Sequence, residues 1–327
     1  MNITAIYHPD MPDFVSGCLQ APELQRLRDI GMNCGCEYTH FPRFVNLGSY
    51  SRYDHSLGCA LIVWHFTGSP AQTLAALFHD IATPVFAHSV DFLNGDYLTQ
   101  ESTEAGTAEL IDRSPVLQAV LCRLSLATKD AGDYHRWPVA DNDAPRLSAD
   151  RLEYTLGNLL NFGFLTLPEV KALYDDLTLA ENEEGLPELC FTHRQAAEDF
   201  AAGALRCARV YVSDEDRYAM QRLAEVLRDA LEAGVLRRED LMTTESRVIG
   251  LLEARPETVR AWEAFRRLHR MVPPETAPAQ ARVIVAKRRY IDPLVLGKGR
   301  LSRLDDACRS ALETFLTQPM DAPVCAE

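Results

Sequence analysis

The sequence predicts a mostly α fold: a helical core over about residues 1–180 and a mixed, mainly helical appendage over 181–327. Three observations carry this. Apolar residues recur at helical spacing in several separate windows, with polar caps and prolines at their ends. Only one stretch, residues 282–290, alternates and is β-branched enough to read as a strand. The composition, 47% hydrophobic and 24% charged over 327 residues, is that of a globular chain long enough for one large core or a core plus a lobe.

The elements follow in order. Residues 22–30 read as a helix in which Leu24, Leu27 and Ile30 share a face and Gly31 ends the run. A turn-rich stretch leads to His55, where residues 55–66 read as a buried helix, apolar on most sides through Leu57, Leu61, Ile62, Trp64 and Phe66. Ser69-Pro70 is a cap followed by Pro at the first helical position. It opens a helix that turns Leu74, Leu77 and Phe78 inward, ends in His79-Asp80, and is stopped by Pro84. Ser148 can cap a third helix over 150–161, with Leu152, Leu156, Leu159 and Leu160 as its core side. After Phe164 the amphipathic windows are 214–233, 244–254, 256–270 and 300–317. There is no internal repeat and no low-complexity linker.

Composition also excludes function classes. No apolar run approaches the roughly 18 residues of a membrane span, and Met1-Asn2-Ile3-Thr4 has no basic then apolar pattern. A cytoplasmic protein with no membrane partner is expected. Nine scattered cysteines, an odd count with only Cys34 and Cys36 close together, argue for reduced thiols rather than disulfides or a thiolate zinc site. A formal charge of −14 disfavours duplex nucleic acid as a partner, but leaves room for a small phosphorylated substrate in a local cationic pocket.

The chemistry starts at His79-Asp80. Neighbours on a helix point about 100° apart, but the last turn of a helix can bring both side chains to one ion. His55, at the start of the preceding helix, and Asp150, at the start of a later one, would complete a set of two imidazoles and two carboxylates. Such a set suits one divalent ion (Fe, Mn, Co, Ni, Zn or Mg), with positions left for water and a phosphoryl oxygen. Taken alone, His79 could equally be a core histidine bonded to a carbonyl.

The wider pattern resembles a known family. Arg52-Tyr53-Asp54-His55-Ser56-Leu57-Gly58, Leu77-Phe78-His79-Asp80-Ile81, Pro84-Val85-Phe86-Ala87-His88-Ser89-Val90-Asp91 and Asp150-Arg151-Leu152-Glu153-Tyr154 are similar to the successive motifs of HD-domain phosphohydrolases. The similarity is greatest to the branch of deoxynucleoside triphosphate triphosphohydrolases, and residues 23–31 and 287–293 resemble further segments of that branch. The resemblance implies an HD-domain helical core, with His55, His79, Asp80 and Asp150 as metal ligands. It implies His88 and Asp91 as the proton-transfer pair, and Arg52, Arg151 and Tyr154 as substrate contacts. The implied function is hydrolysis of a phosphoester or phosphoanhydride, that of a nucleotide, by metal-activated water; the resemblance also makes a homo-oligomer an expectation.

Two departures bear on that function. After His-Asp the branch continues with Gly and a second His, where this chain has Ala82 and Thr83; its later His-Glu pair stands here as Gln100-Glu101. Thr and Gln donate hydrogen bonds but do not shuttle protons near neutrality. The alternative function is therefore a catalytically weakened nucleotide-binding or regulatory protein on the same scaffold. Asp141-Asn142-Asp143 reads as a polar turn, not a calcium loop, since it lacks the Gly and terminal Glu. Lys287-Arg288-Arg289 could reach a nucleotide phosphate or pair with carboxylates of another subunit. His8, His40, His65, His135, His193 and His269 belong to no motif.

Overall fold

The computed structural model describes residues 3–98 and 106–327. Its helices begin and end where local chemistry dictates. The Arg52–Thr67 helix opens with a reciprocal cap: Asp54 N–H donates to Ser51 Oγ at 3.2 Å and Ser51 N–H to Asp54 Oδ2 at 3.0 Å. This start, three residues earlier than the apolar pattern suggests, places His55 within the first turn. The helix stops at Gly68, whose φ of +59° is left-handed. Pro70–Phe78 follows, capped by Ser69, and the chain then tightens so that Ile81 N–H reaches Phe78 O and Thr83 N–H reaches Asp80 O. Ser148 caps Ala149–Asn161 by accepting from Arg151 N–H.

Two apolar clusters hold the chain together. The first gathers Leu57, Leu77, Phe78, Leu152 and Leu156 from the three helices that carry the predicted ligands, with Phe200, Ala204, Ile291, Val295 and Leu301. The second joins Phe86 and Val90 to Leu223, Leu227, Val248, Trp262 and Phe265. The clusters do not divide at residue 180, because Arg194–Tyr211 packs into the first one. Mostly α is the observed class, with 57% of the described residues helical. No helix among the described residues is long and apolar enough to cross a membrane.

Two small sheets complete the fold. Leu177–Glu181 and Pro187–Phe191 form an antiparallel hairpin; Phe191 pairs in parallel with Val295, and Leu294–Val295 pairs antiparallel with Gly299–Arg300. Met271–Val272 and Arg282–Val283 flank Pro323–Ala326. The strand expected over 282–290 is corrected to its first two residues. The alternation is real, since Ile284 and Ala286 are 4% exposed and Val283 62%, but beyond Val283 the backbone has no ladder partner. The Ile284 carbonyl instead accepts from the Arg217 guanidinium. The helix expected over 300–317 breaks at Asp305, whose side chain caps Asp306–Thr317 through Ala307 and Cys308 N–H. The helix expected over 256–270 ends at Arg266. The helix Arg194–Tyr211 and the hairpin before it were not expected.

Candidate metal centre

Four donor atoms converge where these helices meet. His55 Nε2 lies 3.1 Å from both His79 Nε2 and Asp150 Oδ1, and 3.8 Å from Asp80 Oδ2. His79 Nε2 lies 3.6 Å from Asp80 Oδ2 and 3.6 Å from Asp150 Oδ1. Donors about 2.0–2.2 Å from one ion stand about 3.0–3.5 Å from one another, so this spacing suits a single divalent cation.

The tautomers point the same way. His79 Nδ1 lies 2.7 Å from the Ala76 carbonyl, which only accepts, so Nδ1 carries the proton and Nε2 presents its lone pair. His55 Nδ1 donates to Glu153 Oε2 at 2.6 Å, leaving its Nε2 likewise. Two lone pairs facing each other at 3.1 Å need a cation or a proton between them. Without an ion, protons take that place. Burial opposes charge on both rings, yet Cys59, Asp150 and Glu153 raise His55 well above the usual range, and Asp80 and Asp150 raise His79. Burial also works to raise the Asp80 carboxyl, but Arg52, His79 and His55 hold it below the carboxylate range; hydrogen bonds from His55 and His79 do the same for Asp150.

A buried carboxylate that the sequence reading did not single out fixes His55. Glu153 is fully buried and accepts from His55 Nδ1, from Tyr50 Oη at 2.5 Å and from Tyr7 Oη at 3.3 Å. Two glycines clear its place: a Cβ on Gly58 would stand 2.6 Å from Glu153 Cγ, and one on Gly157 2.3 Å from Tyr50 Oη. A carboxylate behind a ligating imidazole sets ring orientation and basicity. Its signal was present, for Glu153 lies three residues after Asp150 among leucines.

Cys59 was also passed over. Its Sγ, with His55, His79 and Asp150, falls within a set of donors all inside 4.8 Å of one another. It is nearly equidistant from the two His55 ring nitrogens, at 3.7 and 3.8 Å. A sulfur so placed sits abreast of the ring and not beyond the Nε2 lone pair. With no ion beside it, burial pushes its thiol up to about 12. Two residues thus stand near enough to be a fourth donor: Cys59, and Asp80, whose Oδ2 lies 3.8 and 3.6 Å from the two imidazole nitrogens.

The remaining predicted residues surround the same cavity, of about 210 Å³. Arg52 donates to Asp80 Oδ2 at 2.8 Å, while Thr83 Oγ1 donates to Asp80 Oδ1 at 2.8 Å. Arg26 pins the turn between them by donating to the Ile81 and Thr83 carbonyls. Arg151 is held by Asp141 Oδ1 at 2.9 Å and Asn142 Oδ1 at 3.0 Å, which gives the polar turn a purpose. Tyr154 lines the wall one turn beyond Asp150. His88 donates from Nδ1 to the buried Asp91 carboxylate at 2.9 Å, and its Nε2 faces Arg289 Nη2 at 3.1 Å. Burial pushes the His88 ring down to about 4; Asp91 pulls upward, whereas Arg289 and Arg52 add to the depression. Lys287 and Arg289, from the basic run, line the cavity, while Arg288 turns away to the Gln318 carbonyl. Gln100 and Glu101 lie outside the described residues.

His88 sits where it does because of a strained approach. Phe86 and Ala87 have φ of +59° and +41°, rare for residues with side chains. The turn is held by Val85 N–H on the Leu241 carbonyl and Phe86 N–H on Glu245 Oε1.

No family model matches the chain. It is 28% identical over 206 residues, 62% of the chain, to the uncharacterized protein YdhJ of Bacillus subtilis. It is 26% identical over 228 residues, 66% of the chain, to the metal-dependent phosphohydrolase cns2 of Cordyceps militaris. In each case the match spans 61% of the relative's own length.

Proposed function

We propose that this chain is a cytoplasmic, metal-dependent phosphohydrolase of the HD superfamily that cleaves a phosphoester or phosphoanhydride of a nucleotide. One observation carries the reading: two imidazole lone pairs and two carboxylate oxygens converge at ion-binding distances on a cavity lined by four cationic side chains. The similarity to a metal-dependent phosphohydrolase at 26% identity supports it.

His55, His79, Asp80 and Asp150 would hold the metal, which when bound polarises a phosphoryl oxygen and acidifies water. The chain's own residues do the rest. Glu153 keeps the His55 lone pair aimed at the ion. Arg52 and Thr83 divide the two oxygens of Asp80 between them, so that Asp80 has one fixed orientation. Arg151, Lys287 and Arg289 supply positive charge for phosphate oxygens in a net-acidic chain. Tyr154, about 6 Å along the helix axis from Asp150, would flank the group attached to the phosphate. Asp91 fixes the His88 tautomer so that Nε2 faces the cavity.

Elemental analysis of the purified protein and of Asp80→Ala tests the metal, and phosphate release from mono-, tri- and cyclic nucleotides with Mn, Co, Ni or Mg tests the reaction. About one equivalent of metal, lost in the variant, together with metal-dependent release, is expected. Activity that survives in metal-free Asp80→Ala protein would refute the reading. Metal without release from any phosphorylated compound would favour the nucleotide-binding alternative.

A further inference from the structure

The role of the basic run follows from one contact, on the reading that the cavity takes a phosphoryl group. His88 is expected to give a proton to the leaving oxygen, yet here it is in no state to do so. Its Nδ1 proton is committed to the Asp91 carboxylate, and a guanidinium always donates, so the Nε2 lone pair accepts from Arg289 Nη2. A ring with its lone pair capped by a cation carries no transferable proton. Among the described residues, the groups facing it are Asp91 on its own helix, Arg289 from the 282–290 segment, Arg52 from the Arg52–Thr67 helix, and the neutral Cys34 thiol.

We propose that Arg289 is a phosphate-triggered latch on His88: it caps the histidine in the free enzyme and leaves it for the phosphoryl oxygens when substrate arrives. Phosphate attracts the guanidinium more strongly than His88 Nε2 does, because it offers two charged acceptors where the ring offers a neutral nitrogen. Once Arg289 turns, a cation has been replaced by an anion beside His88. Its Nε2 then takes a proton from water, forming an imidazolium paired with Asp91. As the phosphorus–oxygen bond breaks, that proton passes to the leaving oxygen and the ring returns to its neutral form. The depressed proton affinity of His88 in the free enzyme agrees with this. So does the backbone that carries Arg289, which has no ladder partner past Val283 and can move without breaking a sheet.

The test is nitrogen-resolved NMR of the histidine rings in Mg-loaded protein, with inorganic phosphate as the probe. In the wild type, saturating phosphate is expected to raise the His88 midpoint by at least one pH unit. In Arg289→Gln the midpoint is expected to stand high already and to move little on adding phosphate. Arg289→Lys, which keeps the charge but not the fork, should fall between them. In turnover, Arg289→Gln should lower kcat about tenfold or more and displace the acidic limb of the pH profile, which loss of binding alone would not do. Phosphate binding that shifts other cavity signals but leaves His88 unmoved would overturn the latch and leave the phosphohydrolase reading standing. An Arg289→Gln midpoint equal to the wild type would overturn it as well. Absence of phosphate binding with any metal would overturn both.

Discussion

Glu153→Gln isolates the part of the site that never touches phosphate. The substitution keeps volume, and an amide oxygen can still accept from His55 Nδ1, so packing around Gly58 and Gly157 is retained. Two things are lost: the negative charge behind the imidazole, and the Oε1 acceptor serving Tyr7, because the amide NH₂ now faces that hydroxyl while the amide oxygen still serves His55 and Tyr50. Removing a carboxylate behind a metal-bound histidine weakens metal affinity by about 10- to 100-fold, or roughly 1.4–2.7 kcal/mol. The Tyr7 hydroxyl can turn to accept from the amide, so the cost to folding should stay near 1 kcal/mol. The assay is a competitive metal titration against a chelator, beside a thermal melt of the metal-free proteins. Affinity reduced by at least tenfold with a small change in the melt is the expected pair of results. Unchanged affinity would refute the assignment of Glu153 as the group that aims His55, and with it the tautomers given above.

Three further outcomes are expected. Metal-free protein should be most stable between about pH 4 and 6.5: the raised His55 and His79 contribute fully below their unfolded value and lose that contribution as pH rises through their folded values, while the lowered Asp80 and Asp150 contribute above about pH 4 and lose it on acidification. The rise in melting temperature on adding metal should accordingly grow from about pH 5.5 to about pH 8, and a rise independent of pH would count against the shared site. Gly58→Ala should cost about 1–3 kcal/mol and weaken metal, since its Cβ meets Glu153, whereas Gly250→Ala, with open space at a helical position, should stabilise by about 0.4–1 kcal/mol in a denaturant melt; equal effects would show that Glu153 has room to move. Arg300→Met should cost about 3–5 kcal/mol because it strands the buried Glu188 carboxylate, and the double variant with Glu188→Leu should recover part of that loss.

Much of the geometry around His55, His79 and Asp150 was legible because local rules govern it. Ser51, Ser69 and Ser148 cap the three helices that carry His55, His79 and Asp150, and the leucine stripes fix which face turns inward. What was not legible is where competing partners decide. The alternation over 282–290 describes burial correctly, but a strand needs a neighbour, and at Ile284 the neighbour is Arg217. Asp305 interrupts a good helical pattern because its carboxylate satisfies two backbone N–H groups better at a cap than inside a helix. Arg52 and Arg151 were read as substrate contacts from type and motif. Their carboxylate partners, Asp80 and Asp141, lie 28 and 10 residues away, distances over which no local pattern reports. Glu153 and Cys59 needed the packed helices before their neighbours could be known.

The cavity wall is contributed by residues from both early and late parts of the chain, and this gives the site a history. All four donors have been synthesised once Asp150 is made, but Lys287 and Arg289 follow much later, the second of them 139 residues on (289 − 150). At about 5–20 residues per second that interval is about 7–28 s. The wall that carries the clustered histidines and aspartates and the wall that carries the basic residues are therefore separate in time during biosynthesis. The helices that carry the donors also wait for late partners, because Phe200, Ile291, Val295 and Leu301 belong to the apolar cluster that packs them, so the cavity takes its shape only when the last third of the chain has docked.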